Sequence, residues 1–141
     1  MKNIHYAIAF AIMTIASPAM ASTVTIHVEG LASDKGTVYA GLCTEAGWEN
    51  LKCRTVKLEP TTQTLIHHWE DVPPGEYGVT LRHDENDNQK MDFNFFGAPV
   101  EQWGASNNPA PRMGRSLWKD VVFKHGEQSQ TLKIKMQPEV D

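Results

Sequence analysis

A single antiparallel β-sandwich of about seven strands, bearing one long ordered loop, is the all-β fold that this sequence predicts. Three observations lead there. Apolar side chains recur at alternate positions in a series of short runs, the period of a strand with one face buried. Clusters of Gly, Pro, Asp and Asn punctuate most of the gaps between those runs. No run beyond residue 21 keeps the 3.6-residue period of an amphipathic helix.

Residues 1–21 read as a secretory signal peptide that is cleaved off. Lys2 supplies the charged start, Ala7 to Ile15 the apolar stretch, and Ala19-Met20-Ala21 the small-x-small cleavage site. The apolar stretch is too short to cross a bilayer, and no Cys lies near the cut to carry a lipid. Residues 22–141 then have the length of one domain. Loss of Lys2 takes the formal charge from −4 to −5, a mildly acidic balance with no footprint for nucleic acid or an anionic membrane. The expected location is periplasmic or secreted, with no nucleic-acid partner and no membrane span. In such an oxidising compartment Cys43 and Cys53 read as a disulfide closing a short loop; the alternative is two reduced, buried thiols.

The strands follow in order. Val24, Ile26 and Val28 alternate with Thr23, Thr25 and His27, and the turn Ser33-Asp34-Lys35-Gly36 leads to Val38, Ala40 and Leu42, so the first two strands are expected to form a hairpin. Gly47-Trp48-Glu49-Asn50 falls inside the disulfide ring and reads as a loop pinned by it. Val56 and Leu58 give a short strand ended by Pro60. Thr62 to Trp69 has strand composition with two competing faces, Leu65, His67 and Trp69 against Ile66 and His68. Asp71-Val72-Pro73-Pro74-Gly75 is a strong turn before the alternating Tyr77, Val79 and Leu81. Near the end Val121 and Phe123 open a strand, Gly126 turns it, and Leu132, Ile134 and Met136 alternate against Thr131, Lys133 and Lys135.

Between Arg82 and Asn108 lies the long loop, and its first part has the grammar of a hard-cation site. Asp84, Asn86, Asn88 and Asp92 are spaced so that a tightly curled backbone can aim several oxygens at one point, as calcium requires with its six to eight oxygen ligands. The carbonyl of Lys90 falls at the position where a calcium loop of the EF-hand type uses a main-chain oxygen. The match stops there: Gln89 replaces the loop glycine, Phe95 replaces the bidentate Glu, and no helices flank it. Glu101 folding back would supply the missing carboxylate, making the expected ligands Asp84, Asn86, Asn88, Lys90, Asp92 and Glu101 and the expected cofactor a structural Ca2+. The alternative is an Asx-rich turn whose side chains bond their own backbone. Further on, Phe93, Phe95, Phe96 and Trp103 can form a ligand surface for a sugar or a protein partner, or can pin the loop to the sandwich. Asn94, Ser106, Asn107 and Asn108 can contact a ligand or hold the loop together.

Several of these segments also resemble a known family. Asp71-Val72-Pro73-Pro74-Gly75-Glu76-Tyr77, His83-Asp84-Glu85-Asn86-Asp87-Asn88, Asp92, Gly97-Ala98-Pro99-Val100-Glu101 and Gly104-Ala105-Ser106-Asn107-Asn108 are similar to the successive motifs of the bacterial exported proteins grouped as domain of unknown function 2141. The resemblance covers almost all of the expected mature chain and implies no particular activity. The family pattern usually has Asn-Gly where this chain has Asn88-Gln89, and a left-handed backbone there costs Gln more than Gly. Pro-Pro-Gly-x-Tyr separately resembles the turn before a strand in transthyretin-like and carboxypeptidase-regulatory-like domains, implying a prealbumin-like or Ig-like sandwich.

Other chemistry finds less support. His27, His67, His68, His83 and His125 include no pair with the helical i,i+4 spacing of a zinc enzyme, and a copper site drawing on Met91 and Met113 has no spacing motif behind it. Ser106 lacks the Gly-x-Ser-x-Gly turn of a nucleophile elbow. The expectation is a non-enzymatic exported module whose calcium-ordered loop presents a surface to a protein or carbohydrate partner in the cell envelope. Alternatives are a metal-dependent envelope enzyme using the same oxygens plus a histidine such as His83, and a structural envelope domain without metal.

Overall fold

The computed structural model of the protein describes residues 20–112 and 114–137. Of the expected signal peptide only Met20 and Ala21 fall among the described residues, and Met113 lies outside them. The chain is an all-β sandwich of two sheets. In the first, β1 (Ser22–Glu29) runs between β4 (Leu65–Val72) and β8 (Gln130–Lys135). In the second, β2 (Thr37–Cys43) lies between β3 (Arg54–Leu58) and β5 (Gly75–Asp84). The far edge of β5 is shared by β6 (Trp103–Ala105) and β7 (Phe123–His125), which pair with its second and first halves.

Alternation decides which side chains meet between the sheets. Val24, Ile26 and Val28 of β1, Val38 and Ala40 of β2, and Val79 of β5 have no exposed surface, and Trp69 of β4 and Ile134 of β8 join them in one core. Fully burying one such aliphatic side chain stabilises the fold by roughly 1.5–3 kcal/mol. The undecided register of the fourth strand resolves in favour of Leu65 and Trp69, which are buried, with Ile66 and His68 exposed. The strand starts at Leu65, three residues later than expected from composition. His67 stands edge-on to Trp69 with ring centroids 4.8 Å apart. Burial, its largest cause, holds the His67 pKa below the usual value, helped by the nearby charges of His68 and Arg54. Near the end of β4 the pairing passes from Val24–Trp69 to Ser22–Val72, leaving one extra residue on β4. Asp71 takes the left-handed conformation (φ 55°) at this bulge.

Several connections depart from expectation. β1 and β2 form no hairpin but lie in different sheets, and Gly30 (φ 85°) and buried Leu31 carry the chain across. The Gln102 side chain fixes that crossing by accepting from Ala32 N–H (2.8 Å) and donating to Gly30 O (2.8 Å). β1 and β8 pair in parallel within an otherwise antiparallel arrangement. Among the described residues there are eight strands rather than seven, because Trp103–Ala105, expected to belong to the long loop, pairs with Arg82–Thr80.

Among the described residues two short helices also interrupt the strands. α1 (Glu45–Glu49) replaces the loop expected inside the Cys43–Cys53 ring, where Thr44 Oγ1 caps it by accepting from Gly47 N–H (3.2 Å). α2 (Trp118–Val121) takes up Val121, expected to open a strand that instead begins at Phe123. Both helices lie on the outer face of the second sheet, where Cys43, Trp48, Ala105 and Val121 form a second buried cluster with Trp118 against it.

The Cys43–Cys53 disulfide expected from the sequence is present and ties the end of β2 to the residue before β3. A loop this short should gain roughly 2.5–3 kcal/mol from the cross-link. The Cys43→Ser, Cys53→Ser double variant is expected to lose about that much stability in urea denaturation, and a loss under about 0.5 kcal/mol would show that the ring is held by Trp48 packing alone.

Candidate functional site

β5 ends at Asp84, and the chain turns there because the Asp84 carboxylate takes over as hydrogen-bond acceptor. Asp84 is fully buried, and its two oxygens accept from Asn88 N–H (3.1 Å) and Gln89 N–H (2.8 Å). Gly36 lies so close that a Cβ there would stand 2.0 Å from Asp84 O, so only glycine fits. Two Asx-turns follow: Asn86 Oδ1 accepts from Asn88 N–H (3.1 Å) and Asn88 Oδ1 from Lys90 N–H (2.9 Å). The side-chain amides of both asparagines point to Asp92, donating at 2.8–2.9 Å. Those hydrogen bonds, Asn86 first, hold the Asp92 carboxyl below the usual carboxylate range. Gln89 adopts the left-handed conformation (φ 64°) that its place in the Asn-Gly pattern implies.

Glu101 lies against this cluster. It is only 6 % exposed, and its Oε2 accepts weakly from Asp92 N–H (3.4 Å). Its other oxygen, Oε1, is buried with no hydrogen-bond partner among the described residues. One Arg82 guanidinium nitrogen stands 3.6 Å from Asp84 Oδ2 and 3.8 Å from Glu101 Oε2, an ion-pair arrangement shared by two carboxylates. Burial pushes the Glu101 carboxyl above the usual range, and the negative charges of Asp84 and Asp92 add to it, outweighing Arg82 and the Asp92 N–H. Asp84, Asn86, Asn88, Asp92 and Glu101 are therefore brought together, linked mainly to one another and to their own backbone. No hydrogen bond of the Lys90 carbonyl enters this network, and no group of three or more His, Cys, Asp or Glu at metal-binding separation occurs among the described residues.

The second feature is a cleft of about 580 Å³ on the outer face of the second sheet. Cross-strand register builds it. Thr55, Gly41, Thr80 and Ala105 pair in sequence across β3, β2, β5 and β6, giving a lateral row of small side chains. Two residues along each strand the next row is Lys57, Tyr39, Arg82 and Trp103. Arg82 lies over the Tyr39 ring at 4.5 Å from its centroid, and Tyr39, Arg82 and Trp103 of this row form one wall of the cleft. Met91, Phe93 and Pro99 of the long loop also line the cleft. The opposite wall comes from α1 and the segment before α2, in the form of Trp48, Leu51, Arg115 and Ser116, with Arg112 beside them. The Arg115 guanidinium stacks 4.1 Å from the Trp48 ring and donates to Trp48 O, while Trp48 Nε1–H donates to Ser116 O (3.2 Å). Burial against Trp48 lowers the Arg115 pKa from its ordinary value, opposed by the charge of Glu49.

Of the four aromatics expected to form a ligand surface, Phe93 and Trp103 line this cleft. Phe95 and Phe96 do not. They pack edge to face (5.5 Å) at the tip of a small turn held by Asn94, and are 97 % and 80 % exposed. Tyr39, Arg112 and Arg115 were not singled out in the sequence, and Trp48 and Arg82 were read only as part of the disulfide-pinned loop and as the start of the long loop. Alternation on β2 places Tyr39 and Gly41 opposite Val38 and Ala40, but only the register shows that Gly41 lies beside Thr55 and Thr80.

Other candidates prove structural. Ser106 is fully buried, donating to Val121 O (2.5 Å) and accepting from Val79 N–H (2.9 Å). Asn107 donates to Val122 O (2.8 Å) and Asn108 to Lys133 O (3.0 Å), so these residues staple β5, α2 and β8 together. His83 points to the core side of β5, fully buried, with Nε2 2.8 Å from Lys35 O.

A family model described as "Uncharacterized protein conserved in bacteria", DUF2141, matches residues 26–133. The chain belongs to that family. Neither a curated protein nor a solved structure matches it. In this DUF2141 chain the segments that carried the resemblance have separable tasks. Tyr77 anchors the Pro-Pro-Gly turn by donating its hydroxyl to Pro73 O (2.9 Å), Asp84 to Asp92 form the Asx cluster, and Ser106 to Asn108 form the staple.

Since Glu101 is held above the usual carboxylate range, folding favours its protonated form. Its destabilising effect is absent below the unfolded pKa and grows as pH rises through the window up to the folded value. Asp92 acts with opposite sign at lower pH. Glu101→Gln should flatten the decline of the urea midpoint just above about pH 4.3. A variant declining like the parent would assign the effect to another group.

Proposed function

We propose that this protein is a non-enzymatic, exported binding module that takes a small ligand into the cleft on its second sheet. The observation that carries the proposal is the cleft's construction. A floor of Thr55, Gly41, Thr80 and Ala105 lies between walls carrying Tyr39, Trp103 and Phe93 on one side and Trp48 on the other. Its volume of about 580 Å³ lies within the usual range for small-molecule sites, which are concave, mainly apolar and equipped with a few polar groups. Export is supported by the leader pattern in residues 1–21 and is compatible with the Cys43–Cys53 disulfide. No helix among the described residues is long and apolar enough to cross a membrane.

The neutral fluorophore N-phenyl-1-naphthylamine is a suitable probe, because its emission rises in apolar surroundings. The folded protein is expected to bind it in the micromolar range. Thr80→Phe, which fills the floor, should weaken binding at least about tenfold. Ile66→Phe, on the exposed face of the first sheet, should leave it unchanged. Equal binding by the parent and a folded Thr80→Phe variant would remove the cleft from consideration.

A second element of the proposal is calcium at the Asx cluster, ordering the loop that supplies Met91, Phe93 and Pro99 to the wall. One observation favours it: Glu101 Oε1 is a buried carboxylate oxygen without a partner among the described residues, the kind of atom a cation satisfies. Asp84, Asn86, Asn88, Asp92 and the Lys90 carbonyl would be the other donors. Arg82 already partly neutralises the site, which places affinity toward the weak end, about 10⁻³ M. At 10 mM calcium that affinity corresponds to a gain of about 1.4 kcal/mol, or a Tm rise of about 5 °C, in chelator-treated protein. An unchanged Tm would eliminate the ion.

A further inference from the structure

We infer that the cleft selects a small aromatic anion, a flat apolar ring system carrying one carboxylate, sulfonate or phosphate group, and binds the anionic group at Arg112 and Arg115. This rests on the cleft being a ligand site and goes further by naming the ligand's chemistry. Three observations carry it.

The first is charge. The formal net charge of the chain is −4, yet among the described residues the charged side chains lining the cleft are all arginines, Arg82, Arg112 and Arg115, with no Asp or Glu. A cleft of one sign with apolar walls concentrates the opposite charge, and guanidinium groups bind oxyanions through paired donors.

The second is how that charge is compensated. Arg82 sits between Asp84 and Glu101 and is largely neutralised by them. Among the described residues no ion pair reaches Arg112 or Arg115. Glu49 acts on Arg115 only through its field, and burial against Trp48 leaves the Arg115 guanidinium partly desolvated. The uncompensated positive charge thus lies on the Trp48 side. Stacking on Trp48 and the bond to Trp48 O hold the Arg115 plane in place, which limits the entropy lost on binding.

The third is the shape of the remainder. Tyr39, Trp103, Phe93 and Trp48 line the cleft, with Arg82 over the Tyr39 ring and Arg115 over the Trp48 ring, and the floor of Gly41, Thr55 and Thr80 leaves room between them. Aromatic walls favour a flat ring over a bulky aliphatic body through stacked and edge-to-face contacts.

A matched pair of probes tests this. N-phenyl-1-naphthylamine and 8-anilinonaphthalene-1-sulfonate share one ring system and differ by the sulfonate. Full-length mature protein is expected to bind the sulfonate at least about tenfold more tightly than the neutral amine at low salt, with the ratio falling as salt rises. Arg112→Gln and Arg115→Gln should each bring the ratio of the two dissociation constants toward one, and the double variant should abolish the preference. Arg112 is exposed with no hydrogen-bond or ion-pair partner among the described residues, so its variant tests the charge even if Arg115→Gln disturbs Trp48. Equal affinity for the two probes in the parent, or a preference surviving in the double variant, would overturn the anion assignment while leaving the cleft intact. Failure of both probes to bind the parent, or tight binding of both by folded Thr80→Phe protein, would instead overturn the cleft itself, and the anion assignment with it.

Discussion

The pairing register of β5 is the constraint on which both the core and the cleft rest. β5 is paired along one edge with β2 and along the other with β6 and β7, so a slip of one residue would turn Val79 and Leu81 outward and bury Thr80 and Arg82. The same slip would break up the row of small residues and the row of large ones beside it. The register is fixed at several independent points. Gly36 allows β2 to begin against Asp84, and the Ser106 hydroxyl and backbone N–H bracket Val79. Asn107 and Asn108, both left-handed, then carry the chain away while bonding α2 and β8. A segment that looks like a polar loop is therefore a clamp on the central strand.

Arg82 couples the two features of the outer face. Its guanidinium stacks on Tyr39 in the cleft wall and also stands between Asp84 and Glu101 in the Asx cluster. Whatever changes the charge of Glu101, whether a proton or a cation, alters the partner of a residue that lines the cleft. The burial of Glu101 explains why this carboxyl, unlike Asp92, is unfavourable when ionised: Asp92 receives amide donors from Asn86 and Asn88, whereas Glu101 Oε1 receives none.

Much of the fold was legible because burial on one face writes a period of two into the sequence. β1, β2, β5 and β8 were visible as Val24-Ile26-Val28, Val38-Ala40-Leu42, Tyr77-Val79-Leu81 and Leu132-Ile134-Met136. β6 was not, since three residues are too few to show a period and Trp103-Gly104-Ala105 resembles loop composition. The helices were hidden for a similar reason: α1 and α2 are a turn or so long, and tertiary contacts of Trp48 and Val121 decide them rather than propensity. Topology was misread at the first connection because a turn signal such as Ser33-Asp34-Lys35-Gly36 does not say which sheet the next strand joins. Within the site, the Asx cluster was readable from local spacing, whereas the sequence left open whether Glu101 approaches it or stays away. The cleft was not, because it depends on residues from four strands whose lateral alignment no single stretch of sequence encodes.

The disulfide links the compartment to the cleft. α1 has five residues, far too few to persist as an isolated helix in water. Its Thr44 cap, the burial of Trp48 and the Cys43–Cys53 bond at its two ends hold it against the sheet. Trp48 in turn seats Arg115, so the wall bearing the uncompensated positive charge is supported by a bond of the kind that oxidising compartments favour. Without the bond the short helix loses its covalent tether, and the seat of the Trp48–Arg115 pair rests on the Thr44 cap and the burial of Trp48 alone. The floor of Gly41, Thr55 and Thr80 belongs to the sheet and does not depend on the bond in the same way, although Cys53 itself lines the cleft. The shape of the cleft is thus set by strand register, and the placement of its charge by the covalent ring beside it.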